Sequence, residues 1–235
     1  MKPTNYPNGV TTADPASPLG DFVLPDPTKS HVYMEDFDYY VASDWTVTEV
    51  GAATQVLLAA AGDGGRLFIE NTPNGPAEND FSLNQKVGSS FTFTLGKKLW
   101  FDALFQISDA TQSELAFGLQ PTNSTGFPSD NSIFFFKDDG VSSISFITQK
   151  SGSSSTAVAI IPVTDATDIR LSFFFDGINT LKLFANGTVV RTPGNTSLGT
   201  TVPLDVPLRV TFVIKNGEDA SKTMTVDYIM VAKER

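Results

Sequence analysis

No cysteine occurs among the 235 residues. Disulfide staples, thiolate zinc sites and cysteine nucleophiles are thereby excluded. Histidine is almost as scarce. His31 is the single one, and its neighbours Lys29, Ser30 and Val32 form no nucleophile motif, so a Ser-His-Asp mechanism has nothing to rest on. A glycine-rich phosphate loop of the Walker or dinucleotide type is also missing. Positive charge is in short supply: 16 Lys and Arg stand against 26 Asp and Glu, a net charge of −10. Such a surface repels phosphates, so a nucleic-acid partner is not expected. The longest apolar runs reach about six residues, far from the roughly 20 that span a bilayer. Met1 to Ser30 holds no apolar leader core, so neither a membrane anchor nor a secretory signal is expected.

What the chain does have is phenylalanine, 19 residues against 2 Trp and 5 Tyr. Apolar rings without a polar group suit the interior of a sheet. Period-two alternation follows from residue 31 onward. Leu99, Phe101, Ala103, Phe105 and Ile107 alternate with Lys98, Asp102 and Gln106, while Trp100 and Leu104 interrupt the polar face, so that face is partly covered too. The same period marks Ile169–Phe175, Leu181–Leu183, Leu208–Ile214 and Met224–Met230. Further strands are predicted at 45–50, 54–59, 66–71, 81–86, 90–95, 114–120, 132–137, 142–149 and 156–161. Residues 52–61 have helical propensity as well, and strand is preferred there. Turn chemistry separates the runs, with Asn186-Gly187 as the strongest hairpin signal. Many short strands with frequent turns predict an all-β jelly-roll sandwich over residues 31–235.

Residues 1–30 differ. Pro3, Pro7, Pro15, Pro18, Pro25 and Pro27 crowd into them, and proline neither ladders into a sheet nor continues a helix. An extended arm is predicted, with Tyr6, Val10, Leu19, Phe22, Val23 and Leu24 as apolar anchors for a partner surface. In the domain, Glu35-Asp36-Phe37-Asp38 comes nearest to a glycosidase acid run. Asp36 and Asp38 share a face on a regular strand, but Tyr40 occupies the third acid's place, so no catalytic residue is assigned. Asp138-Asp139-Gly140 and Asp63 could offer oxygens to calcium, yet turns select Asp and Gly for conformation alone. No metal and no cofactor is assigned. Ile133-Phe134-Phe135-Phe136 and Phe173-Phe174-Phe175 put rings on both faces of a strand, which places them between two layers or against a partner.

Two stretches carry a resemblance. One comprises Pro25–Lys29, Glu35–Tyr40 and Asp44–Thr48. The other comprises Asp176-Gly177, Leu181–Gly187, Asn216-Gly217 and Met224–Ile229. The second half resembles concanavalin A-like (laminin G-like) jelly rolls, and the whole chain resembles virion structural proteins of marine tailed bacteriophages. The resemblance implies a non-enzymatic capsid decoration subunit on the outer shell of the virion. It implies the major capsid protein and neighbouring virion subunits as partners, with a homo-oligomer, guessed as a trimer. The alternative is a carbohydrate-binding module displayed for host glycans, with Tyr39, Tyr40 and Trp45 as its platform. The lectin metal-site pattern and the full glucanase acid triplet have no counterpart in this sequence.

Overall fold

The computed structural model describes residues 29–58, 64–72, 74–123, 129–191 and 201–235. The six arm anchors, from Tyr6 to Leu24, and Asp63 lie outside the described residues. The strands are β1 (Ser30–Glu35), β2 (Trp45–Val50), β3 (Ala53–Leu58), β4 (Arg66–Asn71), β5 (Phe81–Lys86), β6 (Leu99–Ile107), β7 (Ser113–Gln120), β8 (Asn131–Lys137), β9 (Ser143–Lys150), β10 (Ser153–Pro162), β11 (Ile169–Phe175), β12 (Leu181–Ala185), β13 (Thr188–Arg191), β14 (Arg209–Asn216) and β15 (Thr223–Glu234). A 3-10 turn, Ala42–Asp44, leads into β2.

Two antiparallel sheets face each other. The first runs β13-β12-β11-β6-β15-β4-β3, and β1 also pairs with β15; the second runs β10-β9-β8-β7-β14-β5-β2. The alternation read from the sequence sorts the residues as expected. Leu99, Phe101, Ala103, Phe105 and Ile107 of β6 are buried between the sheets with Phe117, Phe135, Phe173 and Phe212. Rings stack directly in this interior: Phe105 on Phe117 at 4.4 Å, Phe117 on Phe212 at 5.2 Å and Phe101 on Phe173 at 5.0 Å between centroids. Such pairs add to the burial of apolar area that drives the layers together.

Local chemistry sets several boundaries. Asn186 and Gly187 both have positive φ, at 49° and 77°, the geometry of a tight two-residue hairpin joining β12 to β13. Asn186 locks this turn to β11, its N–H donating to Arg170 O at 2.8 Å and its Oδ1 accepting from Arg170 N–H at 3.0 Å. Residues 53–58 are strand, as preferred over helix, and pair with β4 along their whole length. The predicted strand at 90–95 does not form. Phe91 and Phe93 make only isolated bridges, to Leu208 and Leu204. Both rings are buried, so this segment closes an end of the sandwich, and period-two burial arises there without a ladder.

β15 is the longest strand and organises one edge. Its first half pairs with β4 and its second half with β1, while β6 runs along its other side with a register shift between Val226 and Tyr228. Asp227 therefore sits where β1 leaves the sheet and β4 enters it.

Candidate functional site

Paired residues on neighbouring strands share a face, so the outward side of the first sheet can be read from its register. Trp100 lies opposite Phe174 and Ala232, and Asp102 opposite Ser172 and Met230. Trp100 is half-buried on this outer face, and its indole meets Phe174 at 5.9 Å and Phe184 at 5.1 Å. Lys182 stands exposed opposite Phe174. The three rings form an aromatic patch spanning β6, β11 and β12.

A polar network adjoins the patch. Asp102 is buried, and its carboxylate accepts hydrogen bonds from Arg170 Nε at 3.1 Å, from Arg170 Nη2 and from Ser172 Oγ at 2.9 Å. Tyr228 points to the same carboxylate. Burial, and then the Asp102 charge, pushes its phenol up to about 12. The network holds Arg170 with its guanidinium half in solvent, where it can still donate outward. Flat apolar rings beside fixed donors and acceptors are what recognition of a polar ring with an apolar face requires.

The three residues expected as a platform are not brought together. Tyr39 is 71% exposed. Tyr40 is half-buried, its hydroxyl donating to Gln55 Oε1 at 2.5 Å. Trp45 is only 6% exposed, packed on Phe37 and edge-on to Phe212, so it belongs to the core and offers no surface. The physical reason is parity: Trp45 pairs with Lys86 on the inward side of β2, in register with Val47 and Asn84. Trp100, expected in a covered strand, is the more accessible indole.

The acid run also takes a different form from a strand. β1 ends at Glu35, and Phe37 turns inward with φ of 49° and 1% exposure. Gly65 packs against this kink, where a Cβ would lie 1.7 Å from Phe37 O. Asp36 and Asp38 flank the buried ring on the surface. Burial, Asp38 and Asp227 together raise the Asp36 carboxyl above its ordinary range. Arg66 spans the neighbourhood, bonding both oxygens of Asp168 at 3.1 and 2.9 Å and Asp227 at 2.8 Å. Tyr40, in the third position, carries no carboxylate.

Asp138, Asp139 and Gly140 form a turn at the end of β8, next to Lys137. The buried Lys137 ammonium donates to the carbonyls of Thr111 and Asp138 at 3.2 Å each, and to that of Ser113. Among the described residues, no three acids or histidines converge to hold a metal ion. The Phe134 ring is buried on the outward side of the second sheet with Leu83, Ala116 and Val213, against Phe81, Phe136 and Ile147. His31 lies on β1, its ring 4.9 Å from Phe91.

No family model matches the chain, and no curated protein sequence matches it. Solved structures do. A protein of unknown function from Shewanella oneidensis MR-1 superposes with a TM-score of 0.63 at 13% identity, covering 95% of this chain and 97% of its own. An endo-1,3-beta-glucanase from Streptomyces sioyaensis gives 0.61 at 13% identity, covering 89% and 98%. Arcelin-5, a lectin-like defense protein from Phaseolus vulgaris, gives 0.54 at 14% identity, covering 88% and 100%. At such identities the likeness speaks for fold alone, and the fold is the concanavalin A-like jelly roll that lectins and glucanases share.

Proposed function

We propose that this chain is a saccharide-binding β-sandwich that does not hydrolyse its ligand. The observation that carries the reading is the Trp100–Phe174–Phe184 patch beside the Asp102–Arg170–Ser172 network on one sheet face. A lectin-like protein and a glucanase among the similar structures support it. Against hydrolysis stand the interrupted acid run and the engagement of Asp102, the carboxylate beside the rings, by the Arg170 guanidinium.

Affinity electrophoresis against a panel of neutral and acidic polysaccharides tests the reading. At least one polysaccharide retards the chain without being shortened, and Trp100→Ala weakens that retardation about tenfold or more, in line with the loss of a stacking residue at a hot spot. Retardation by none of them, or equal retardation of the variant, refutes saccharide binding at this face. Turnover that vanishes in a variant carrying Asp36→Asn and Asp38→Asn refutes the non-hydrolytic part.

A second reading, a capsid decoration subunit of a virion, is favoured by a different observation. Val32, Met34, Val56 and Leu58 of β1 and β3 are each at least 37% exposed on the same outer face. Aliphatic side chains left in water on one face suit a neighbouring protein better than a sugar. Co-sedimentation with undecorated capsids separates the two, since the decoration reading requires binding that Met34→Asp abolishes.

A further inference from the structure

A sheet edge exposes a row of N–H and C=O groups that a second strand can take up, and proteins protect such edges with charge, proline, bulges or shortness. Five described strands lie at an edge: β13, β3 and β1 in the first sheet, β10 and β2 in the second. Four of them carry such protection. β1 and β2 each place a glutamate in the inward register, Glu35 opposite the core residue Ile229, and Glu49 opposite Ser82, which pairs in turn with the core residue Ile214. β10 has a register shift between Ala157 and Ile161 and ends in Pro162. β13 spans four residues and shifts register against β12.

β3 has none of these features. It contains no charged residue and no proline, and it pairs with β4 in unbroken register over all six residues. Every second residue turns its N–H and C=O away from β4, and among the described residues no strand takes them up. Val56 and Leu58, in register with Phe68 and Arg66 on the outer face, are 47% and 40% exposed. Further apolar surface adjoins this edge. Val50, exposed at the end of β2, precedes β3 by two residues. Tyr40 is tied to Gln55 through its hydroxyl, which brings the exposed Tyr39 and Val41 beside the strand.

We infer that β3 pairs with β3 of a second copy of this chain, antiparallel about a two-fold axis, so that the first sheet continues from one protomer into the other. Charge favours this strand for self-contact. A chain carrying −10 repels its own copy, and an uncharged strand is where two copies meet with the least repulsion. The strand is also self-complementary. Directly opposed residues share a face, which leaves Gln55 or Val56 as the position of the axis. Gln55 is held by Tyr40 and by Ser82. An axis at Val56 sets Val56 against the partner's Val56 and Leu58 against the partner's Thr54, so both exposed aliphatic side chains are covered. A two-fold contact uses the same strand on both copies, and assembly closes at the dimer. β15 and β4 separate β3 from β6 and its Trp100, and the contact does not depend on saccharide binding there.

Sedimentation equilibrium of the full chain tests this, and a reversible dimer is expected. Val56→Lys sets like charges opposite each other on an edge strand and is expected to weaken the dimer about tenfold or more, while Val189→Lys on β13 changes it less than about twofold. Because the chain has no cysteine, single introduced cysteines read the register directly. Under mild oxidation Val56→Cys is expected to cross-link with itself. Thr54→Cys is expected to cross-link with Leu58→Cys in a mixture and poorly with itself. These cross-links carry the test should Val56→Lys fail to fold. A monomer at every concentration, a trimer, a dimer indifferent to a folded Val56→Lys, or self-cross-linking of Thr54→Cys as efficient as that of Val56→Cys overturns the inference, whatever the fate of saccharide binding at Trp100.

Discussion

At the scale of single residues, polar side chains are placed by contacts that cross long stretches of sequence, and these contacts decide their titration. Lys222 is buried and holds Asp109 at 2.7 Å and Glu218 at 2.5 Å. Burial alone would raise the Asp109 carboxyl, but the Lys222 ammonium and the N–H groups of Gln112 and Thr111 outweigh it and bring it down to about 2. A carboxyl whose folded value is depressed contributes stability above its ordinary value of 3.8, and loses that contribution as pH falls from there toward about 2. Asp109→Asn is therefore expected to lower unfolding free energy at pH 6 by about 1–2 kcal/mol, after allowance for solvent screening. The gap to the parent chain should close as pH approaches 2; urea melts at pH 6 and pH 2.5 measure it, and a constant gap contradicts the assignment. Residue types announced the core well and the site poorly. Nothing local to Asp102 indicates that Arg170, 68 positions away, will meet it, and only Trp100 and Leu104 in a polar register hinted that this face carries more than solvent. Trp45 and Trp100 are alike as residue types and opposite in placement, because parity within a strand assigns the face and the strand's start assigns the parity.

Elements were legible where alternation was clean, and pairing was legible only across tight turns such as Asn186-Gly187, which joins β12 to β13. The strands at 66–71 and 81–86 have the predicted limits. No pattern in the sequence says that β15 will serve β4 and β1 on one edge in turn, since both β4 and β1 are short and ordinary. The segment at 90–95 misled for the converse reason: Phe91 and Phe93 are spaced like strand residues but serve as end plugs. Close approach between elements is equally silent in the sequence. Gly118 of β7 lies where a Cβ would be 2.2 Å from Ile133 O and 2.5 Å from Phe134 Cβ of β8. Neither neighbour is the far end of a flexible chain, so the sheet itself has to yield. Gly118→Ala is expected to cost about 1–3 kcal/mol by overpacking, seen as a drop of roughly 2–4 °C per kcal/mol in thermal midpoint. An unchanged midpoint means that β7 and β8 are not so close.

The whole molecule is held by closing each sheet on long-range partners, so its limits can be tested by removing chain from one end. Every described strand pair lies within residues 30–235. The arm read from prolines in residues 1–30 reaches a described strand only at Ser30, the first residue of β1, and Lys29 and Ser30 already touch the other end of the domain, their carbonyls accepting from Arg235 N–H at 2.8 Å and Arg235 Nε at 3.2 Å. Cutting after residue 28 preserves these contacts and is expected to shift the thermal midpoint by less than about 2 °C, well under the effect of 1 kcal/mol. Cutting after residue 35 removes β1. The second half of β15 then loses six register partners, from Ile229 to Glu234. Tyr33, half-buried beside Lys86 with its ring 5.6 Å from the amine, is removed with them. Cross-strand pairs are worth about 0.2–1 kcal/mol each, so losing six costs on the order of 3 kcal/mol, or a fall of roughly 6–12 °C. Scanning calorimetry of the two truncated chains measures both shifts. A large fall for the first cut would place an arm segment within the domain's own packing and displace the idea that the arm serves a partner; a negligible fall for the second would mean that β1 contributes little beyond covering an edge of β15.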